Sequence, residues 1–205
     1  MQPVSNTSSL DQLFEDLGHP NPYVQTEAFL EMARHHEVAS LPRLLLLLDH
    51  KDVVRRRAAV RALGAFAERA MLPLAVRFNT STDPIVRASC VKAYAQIASN
   101  RKGIVFPAEA MAVLEDALQD ISPVVAIAAV MTLGQVGEQA LPLLLRISRD
   151  DNEAQAVAAV NALAGIDHPN VISCLAELSS AEGSDTYVRE TAISALARVE
   201  QLHKR

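Results

Sequence analysis

The feature that most constrains the fold is a pattern that recurs six times along this chain of 205 residues. Each copy opens with Asn, Asp or Ser and continues with small and apolar residues at helical spacing. The copies start 31, 31, 39, 30 and 33 residues apart, at Asn21, Asp52, Asp83, Ser122, Asn152 and Asp185. Units of this length fit a pair of helices whose apolar faces are covered only when neighbouring units stack. The repeat therefore predicts an all-α protein.

Two columns of the aligned copies predict the core. One column holds small residues: Ala28, Ala59, Cys90, Ala129, Ala159 and Ala192. Four positions later stands a larger apolar residue: Met32, Leu63, Tyr94, Leu133, Leu163 and Leu196. This spacing places both columns on one face of a helix. The opening Asn, Asp and Ser residues are typical N-caps, so each copy marks the start of the second helix of a pair.

The segments between the copies supply the first helices of the pairs. They are predicted at Leu10–Gly18, Val38–Asp49, Glu68–Asn79, Pro107–Gln119, Glu138–Ser148 and Pro169–Ser179. An insertion, "NRKGIVFP" from Asn100 to Pro107, accounts for the one long spacing. We therefore predict a right-handed α-solenoid of about six helix pairs. It forms a single domain over residues 10–205, after a polar N-terminal segment at residues 1–9.

Composition and charge exclude several classes of protein. The longest apolar run, Val124–Met131, is far short of the ~20 residues of a membrane helix. The N-terminus lacks the pattern of a secretory signal. Two cysteines, Cys90 and Cys174, form neither a disulfide framework nor a metal-binding pattern. We expect a cytoplasmic protein without membrane insertion.

The charge distribution is uneven along the chain, although the net charge is only -5. From Lys51 to Lys102 there are eleven Lys and Arg against three Asp and Glu, a local excess of eight positive charges. From Ile104 onward six basic residues face fourteen acidic ones, a local excess of eight negative charges. An acidic half and the scarcity of aromatic residues argue against a nucleic-acid binder.

A helical wheel directs three cations away from the core. With Ala59 as the core direction, a rotation of 100° per residue places Arg57 and Arg61 on the opposite side. Lys92 occupies the column of Arg61 in the next copy. Because second helices line the concave groove of a solenoid of this kind, we predict a cationic patch there. By contrast, Arg56 lies nearer the core and is predicted to have a structural role.

Apolar residues occupy the same outward columns in the fourth and fifth copies. They are Ile127, Met131 and Val157. Solvated helix faces normally carry Glu, Lys or Gln, so apolar side chains there indicate a covered surface. With the three cations they form a predicted groove for a ligand or a partner. The alternative is that the curvature of the chain buries these three side chains.

Other chemistry-bearing residues show no pattern of a reactive site. The six histidines lack metal-ligand spacing, and the two cysteines fall at apolar core positions. The sequence contains no Gly-rich phosphate loop, nucleophile elbow or paired-carboxylate arrangement. No metal site and no catalytic residue is therefore predicted. Three classes of function remain: an interaction scaffold, a nucleic-acid binder that uses the basic segment, and a chaperone or lyase for an acidic amphipathic cofactor.

Two stretches resemble HEAT repeats. They are "DPIVRASCVKAYAQIA" and "DTYVRETAISALARV", which carry the Asp-x-x-Val-Arg start and the small-residue core of that family. The resemblance extends over nearly the whole chain. It implies a HEAT-repeat solenoid but little about function, because such folds chiefly provide a binding surface.

A narrower resemblance rests on "LDQLFEDLGHPNPYVQTEAFLEMA", on "RRAAVRALGAF" and on the insertion leading into "FPAEAM". These segments and the six-pair length resemble the cyanobacterial HEAT-repeat proteins of phycobilisome maturation, which include the E/F-type phycobilin lyases. The resemblance implies help in attaching an open-chain tetrapyrrole, phycocyanobilin or phycoerythrobilin, to a cysteine of a phycobiliprotein subunit, or in folding that subunit. It also implies a second HEAT-repeat subunit as partner.

On this reading, Arg57 and Arg61, helped by Lys92, hold the two propionates of a transiently bound bilin. Ile127, Met131 and Val157 cover its pyrrole rings, or contact the second subunit. The acceptor thiol belongs to the client protein. A non-catalytic interaction scaffold is the alternative.

Overall fold

Twelve α-helices make up the structure, a computed structural model that describes residues 9–181 and 185–203. Their bounds are α1 Leu10–Asp16, α2 Pro22–His35, α3 Glu37–Leu46, α4 Val53–Ala65, α5 Glu68–Asn79, α6 Pro84–Asn100, α7 Ala108–Leu118, α8 Pro123–Val136, α9 Leu141–Ile147, α10 Glu153–Leu163, α11 Pro169–Ser180 and α12 Thr186–His203. The described residues contain no β-strand. The predicted all-α class and the six helix pairs are confirmed.

The chain divides into two compact units between Asn100 and Arg101. Unit 1 contains the pairs α1/α2, α3/α4 and α5/α6. Its second helices α2, α4 and α6 pack side by side, with α4 between the other two. The large core side chains Met32, Leu63 and Tyr94, one from each second helix, are fully buried there.

Unit 2 repeats this plan with the pairs α7/α8, α9/α10 and α11/α12. Here α10 packs between α8 and α12. Leu133 and Leu163 are fully buried at the equivalent core positions. The expectation of one continuous solenoid across both units stays a prediction. The predicted polar segment at residues 1–9 lies outside the described residues, except for Ser9.

Capping confirms most of the predicted starts of the second helices. The side chains of Asn21, Asp52, Asp83, Asn152 and Asp185 each accept a hydrogen bond from a backbone N–H two or three residues later. The predicted start at Ser122 is also confirmed, because α8 begins at Pro123, but the Ser122 side chain makes no capping hydrogen bond. Its backbone N–H instead donates to the carboxylate of Asp120 at 2.8 Å. The cap residues Asn21, Asp52, Asp83 and Asn152 likewise donate their backbone N–H to the side chain two residues earlier.

The first helices agree with their predicted ranges to within a few residues, with two local differences. In the second pair, α3 ends at Leu46 and the chain continues as a 3₁₀ turn over Leu47–Asp49. In the fifth pair, a 3₁₀ turn at Gly137–Ala140 precedes the short helix α9. Tight turns of this kind commonly flank α-helices, and the hydrophobic pattern does not distinguish them.

One stretch, Pro123–Ile147, has the length and apolarity of a membrane-spanning helix, and more than half of it is buried inside the protein. It is interrupted by the 3₁₀ turn that starts at Gly137. Since α8 packs against α7, α9 and α10, its apolar composition is accounted for by core packing.

Gly137 adopts a backbone conformation that other residues avoid, with φ 79° and ψ -132°. The equivalent residue in unit 1 is Ala67, with φ 51°, whose methyl group is buried. A Cβ at position 137 meets nothing within 4 Å, so packing cannot offset the strain there. We expect Gly137→Ala to lower the free energy of unfolding by about 1 kcal/mol.

Chemical denaturation of the two proteins measures this difference. Gly165→Ala is the matched control, because Gly165 has no positive φ and its added Cβ would lie 3.5 Å from the nearest atom. An equal decrease in the free energy of unfolding of the two variants would show that the positive φ of Gly137 does not cause the destabilisation.

Candidate functional site

The three predicted cations lie on the outer face of the second helices of unit 1. Arg57 and Arg61 lie about one turn apart on α4, and Lys92 lies on the neighbouring helix α6. All three side chains are exposed. Neither α4 nor α6 contains an acidic residue. This part of the structure therefore presents positive charge with no carboxylate supplied by its own two helices.

Arg61 is held in place by a contact with α2. Its guanidinium donates a hydrogen bond to the side-chain oxygen of Gln25. The amide of Gln25 in turn donates to the backbone carbonyl of His19 at 2.5 Å. This chain of contacts orients Arg61 without neutralising it, because the amide is uncharged.

The arginines of α3, α5 and α9, and Arg149 just after α9, behave differently, because each is paired with a carboxylate from a neighbouring pair. The ion pairs are Arg43–Asp11, Arg69–Glu37, Arg77–Asp49, Arg146–Glu115 and Arg149–Glu177. The hydrogen bond that Arg149 donates to the carboxylate of Glu177 at 2.7 Å raises the pKa of Arg149. By contrast, Arg57 and Lys92 form no ion pair with any residue in the described ranges. Arg57 and Lys92 thus differ from these arginines and also from Arg55 of α4, which lies 3.7 Å from the carboxylate of Glu15.

The structural role predicted for the column of Arg56 is observed. Arg56 donates to the backbone carbonyl of His50 at 2.7 Å, just before α4 begins. Arg87, the equivalent residue of α6, lies over the ring of Phe78 at 3.9 Å. These arginines therefore hold the preceding turn and are not part of the cationic patch.

An apolar row beside the cations was not predicted from the sequence. Tyr23, Val54 and Ile85 stand two residues after the caps of α2, α4 and α6, and are 70%, 54% and 49% exposed. Since Val54 lies three and seven residues before Arg57 and Arg61, all three share one face of α4. The signal was present in the aligned copies, where this column reads Tyr23, Val54, Ile85, Val124, Ala154 and Tyr187.

We define the unit 1 face as Val54, Arg57, Arg61, Ile85 and Lys92. It combines three cations, two of them guanidinium groups that can bind a carboxylate bidentately, with two exposed apolar side chains. Such a surface fits an anionic ligand that also has an apolar body.

The three apolar residues of the predicted groove lie in unit 2. Met131 is 63% exposed on α8, whereas Ile127 on the same helix and Val157 on α10 are half-buried. Met131 is therefore exposed within unit 2, whereas the alternative that the curvature of the chain buries these side chains stays untested. Whether they share one groove with the cations of unit 1 stays a prediction.

Both cysteines are buried. Burial raises the pKa of the Cys90 thiol from 9.0 to about 12, and also raises the pKa of the Tyr94 phenol, whose hydroxyl donates to the carbonyl of Met71 at 2.8 Å. Cys174 is 2% exposed and its sulfur lies 3.5 Å from the hydroxyl of Ser148. Because the thiolate is the nucleophile, neither residue is placed for reaction with a ligand. Among the residues that the structure describes, no cluster of His, Cys, Asp or Glu could hold a metal ion.

These raised pKa values predict lower stability in alkali. Above about pH 9 the unfolded chain releases the protons of Cys90 and Tyr94, whereas the folded protein retains them. The unfolded state then binds fewer protons, so the free energy of unfolding falls as pH rises from about 9 towards 12. Denaturation midpoints across this range measure the slope. The control is Cys90→Ala, which carries the alanine of the other five copies and should show a smaller slope; an unchanged slope would contradict the assignment.

Comparison with known proteins agrees with this repeat architecture. The family of HEAT repeats matches residues 10–95 and 78–156. The chain is 37% identical to "uncharacterized phycocyanin operon protein Z" of Pseudanabaena tenuis, over 95% of this chain and 96% of that protein. It is 33% identical to the bilin biosynthesis protein CpeZ of a Synechococcus species, over 86% of this chain and 98% of that protein.

A solved structure also matches: the complex of CpcE and CpcF of phycocyanin lyase from Nostoc sp. PCC7120. The identity is 22%, the match covers 91% of this chain and 97% of that chain, and the TM-score is 0.37. On the evidence of the repeats and of the two relatives, the chain belongs to the HEAT-repeat proteins, in the family of bilin biosynthesis protein CpeZ.

Proposed function

We propose that this protein is a maturation factor of phycobiliproteins. It assists the attachment of an open-chain tetrapyrrole to a cysteine of a phycobiliprotein subunit, or the folding of that subunit, in the cytoplasm. The names of its relatives support this class of function. The observation that carries the proposal is the unit 1 face, where exposed cations lie on helices that contain no carboxylate.

The chemistry of a phycobilin matches this face. A bilin carries two propionates on a long conjugated apolar body. The guanidinium groups of Arg57 and Arg61 hold the propionates, Lys92 adds a third positive charge, and Val54 and Ile85 lie against the rings. Holding a flexible tetrapyrrole in one conformation favours reaction by reducing the entropy that is lost when it meets the acceptor.

The acceptor thiol comes from the client, since Cys90 and Cys174 are buried. The partners are accordingly a phycobiliprotein subunit and, as the resemblance to two-subunit lyases implies, a second HEAT-repeat protein. The bilin is a transient substrate and not a permanent cofactor. A non-catalytic interaction scaffold is the second candidate, and it is favoured by the exposed apolar row that includes Tyr23.

A spectral titration tests the binding step. Phycocyanobilin or phycoerythrobilin is added to the purified protein, and absorbance and fluorescence are followed. We expect a saturable change at one bilin per chain, because a bound bilin loses conformational freedom. A change that increases linearly without saturation would contradict a specific site and leave the scaffold as the better account.

A further inference from the structure

The outer face of α8 and α10 in unit 2 is apolar and uncharged. It is formed by Val124, Ile127, Met131, Ala154 and Val157. Val124 and Met131 are 62% and 63% exposed, and α8 contains no charged residue at all. Solvated helices normally carry charged side chains on their outer face, so this surface is typical of one that a partner covers. We call it the unit 2 face.

The unit 2 face ends at a polar cavity next to α12. The cavity has a volume of about 500 Å³ and is lined by Asn161, Tyr187, Glu190, Thr191, Ser194 and Arg198. Tyr187 is 70% exposed. Glu190 is exposed and forms no ion pair with another residue of the described ranges. This end of the face therefore offers an aromatic ring and the carboxylate of Glu190, while the one cation in the same lining, Arg198, donates to Asn161.

The spacing of the helices favours an α-helix as the occupant. Neighbouring packed helices lie about 8–10 Å apart. The contact of α8 with α10 is close, since a Cβ on Gly134 would lie 2.8 Å from the Cβ of Ala162. In an α-helix, residues seven positions apart share a face and lie about 10.5 Å apart. The two spacings are similar. An α-helix that crosses α8, α10 and α12 can therefore place one apolar side chain of its own against each of them, at seven-residue intervals.

Hydrogen bonding argues against an extended segment. An extended chain needs partners for its backbone N–H and C=O groups, whereas a helix satisfies its own. Beside the unit 2 face, in the lining of the polar cavity, the side-chain amide of Asn161 is already engaged. Its nitrogen donates to the carbonyl of Val157 at 3.1 Å, and its oxygen accepts from Arg198 at 3.1 Å. Met131 occupies the equivalent position of α8 and offers no such group.

We infer that the unit 2 face binds an amphipathic α-helix of the client protein. The helix presents apolar side chains at seven-residue spacing and carries a Lys or Arg at the end that lies near Glu190. Unit 1 then binds the tetrapyrrole, and unit 2 binds the protein to which the tetrapyrrole is attached. The inference rests on the proposed function for the identity of the client, but not for the chemistry of the helix.

The test uses a fluorescent peptide of about three heptads, with Leu at seven-residue spacing and Lys at one end, and measures fluorescence anisotropy with the full chain. We expect saturable binding, which Met131→Glu weakens by about tenfold, since about 1.4 kcal/mol corresponds to tenfold. The matched control is Val76→Glu on α5, because Val76 is also 63% exposed but lies outside the face. Equal effects of the two substitutions would overturn the proposal.

Charge reversal tests the orientation of the bound helix. Glu190→Lys should weaken binding of the Lys-ended peptide and restore binding of a peptide with Glu in place of Lys. Glu200→Lys, on the same helix α12, should do neither. Identical behaviour of the two variants would overturn the assignment of the basic end to Glu190.

Two further experiments test whether the unit 2 face binds a helix, a non-helical peptide or the tetrapyrrole. A peptide of the same composition in scrambled order, and one broken by a central proline, should bind at least about tenfold more weakly; equal binding of either would overturn a helical occupant. Val124→Gln, at a residue of the face that is 62% exposed, should weaken peptide binding and leave bilin affinity unchanged. Loss of bilin affinity in this variant would show that the face covers the tetrapyrrole. Because the peptide assay contains no bilin, its failure leaves the proposed function standing, and failure of bilin binding leaves this inference standing.

Discussion

Replacement of Arg57 and Arg61 by glutamate is expected to weaken phycobilin binding by about 100-fold. Each guanidinium forms a charge-assisted hydrogen bond with a propionate. We take its contribution to the binding free energy as about 1.5 kcal/mol, the lower end of the usual range, because the group is exposed. Two such contacts correspond to roughly 100-fold in affinity. Glutamate also repels the propionates. Absorbance titration with phycocyanobilin measures the change, and circular dichroism should show unchanged helical content, because both side chains are exposed.

The matched control is Arg101→Glu/Lys102→Glu. These two exposed cations change the net charge by the same amount but lie outside the unit 1 face. We expect the control to bind bilin almost as tightly as the original protein. If both double variants lose affinity equally, the bilin responds to net charge alone and the unit 1 face is not its site.

Gly134→Val is expected to lower the free energy of unfolding by roughly 3 kcal/mol, the upper part of the range for overpacking. An added Cβ would lie 2.8 Å from the Cβ of Ala162 and 3.4 Å from its Cα. The second atom belongs to the backbone of α10, so a side-chain rotation cannot relieve the overlap and the two helices must separate. For a chain of this length, the loss corresponds to a fall in Tm of roughly 6–12 °C.

Differential scanning calorimetry measures this fall, with Gly165→Val as the control. Gly165 has no atom closer than 3.5 Å to an added Cβ and lies in a turn after α10. The control should change Tm by no more than a few degrees. A Gly134→Val protein as stable as the control would contradict the close packing of α8 on α10.

The repeat made most of the core predictable, because the packing of each pair imposes the same columns on every copy. Ala59, Leu63, Cys90 and Tyr94 were all assigned to the core from their columns, and all four are fully buried. The helix starts followed from capping chemistry, which is local in sequence. Ser122 also precedes its helix as predicted, but its side chain makes no capping hydrogen bond.

The candidate site was less predictable, because contacts between copies determine which of the arginines are neutralised by carboxylates. A helical wheel places Arg57 outward, but it does not show that the arginines of the first helices are neutralised. Those ion pairs join residues about one repeat apart, such as Arg43 with Asp11. The apolar row of Val54 and Ile85 was readable in the alignment, but a column of apolar residues near a helix start also fits a core position. The exposed fractions of Val54 and Ile85 distinguish a surface row from a core column, and these fractions are known only from the structure.

The bilin attachment reaction itself tests the central claim most directly. A phycobiliprotein subunit, a bilin and the second HEAT-repeat protein are combined with and without this protein, and covalent bilin on the client cysteine is quantified by absorbance after denaturation. The account predicts that the protein raises the yield of attached bilin, that Arg57→Glu/Arg61→Glu removes the increase, and that Arg101→Glu/Lys102→Glu retains it. An attachment yield that is the same with and without the protein would contradict the account.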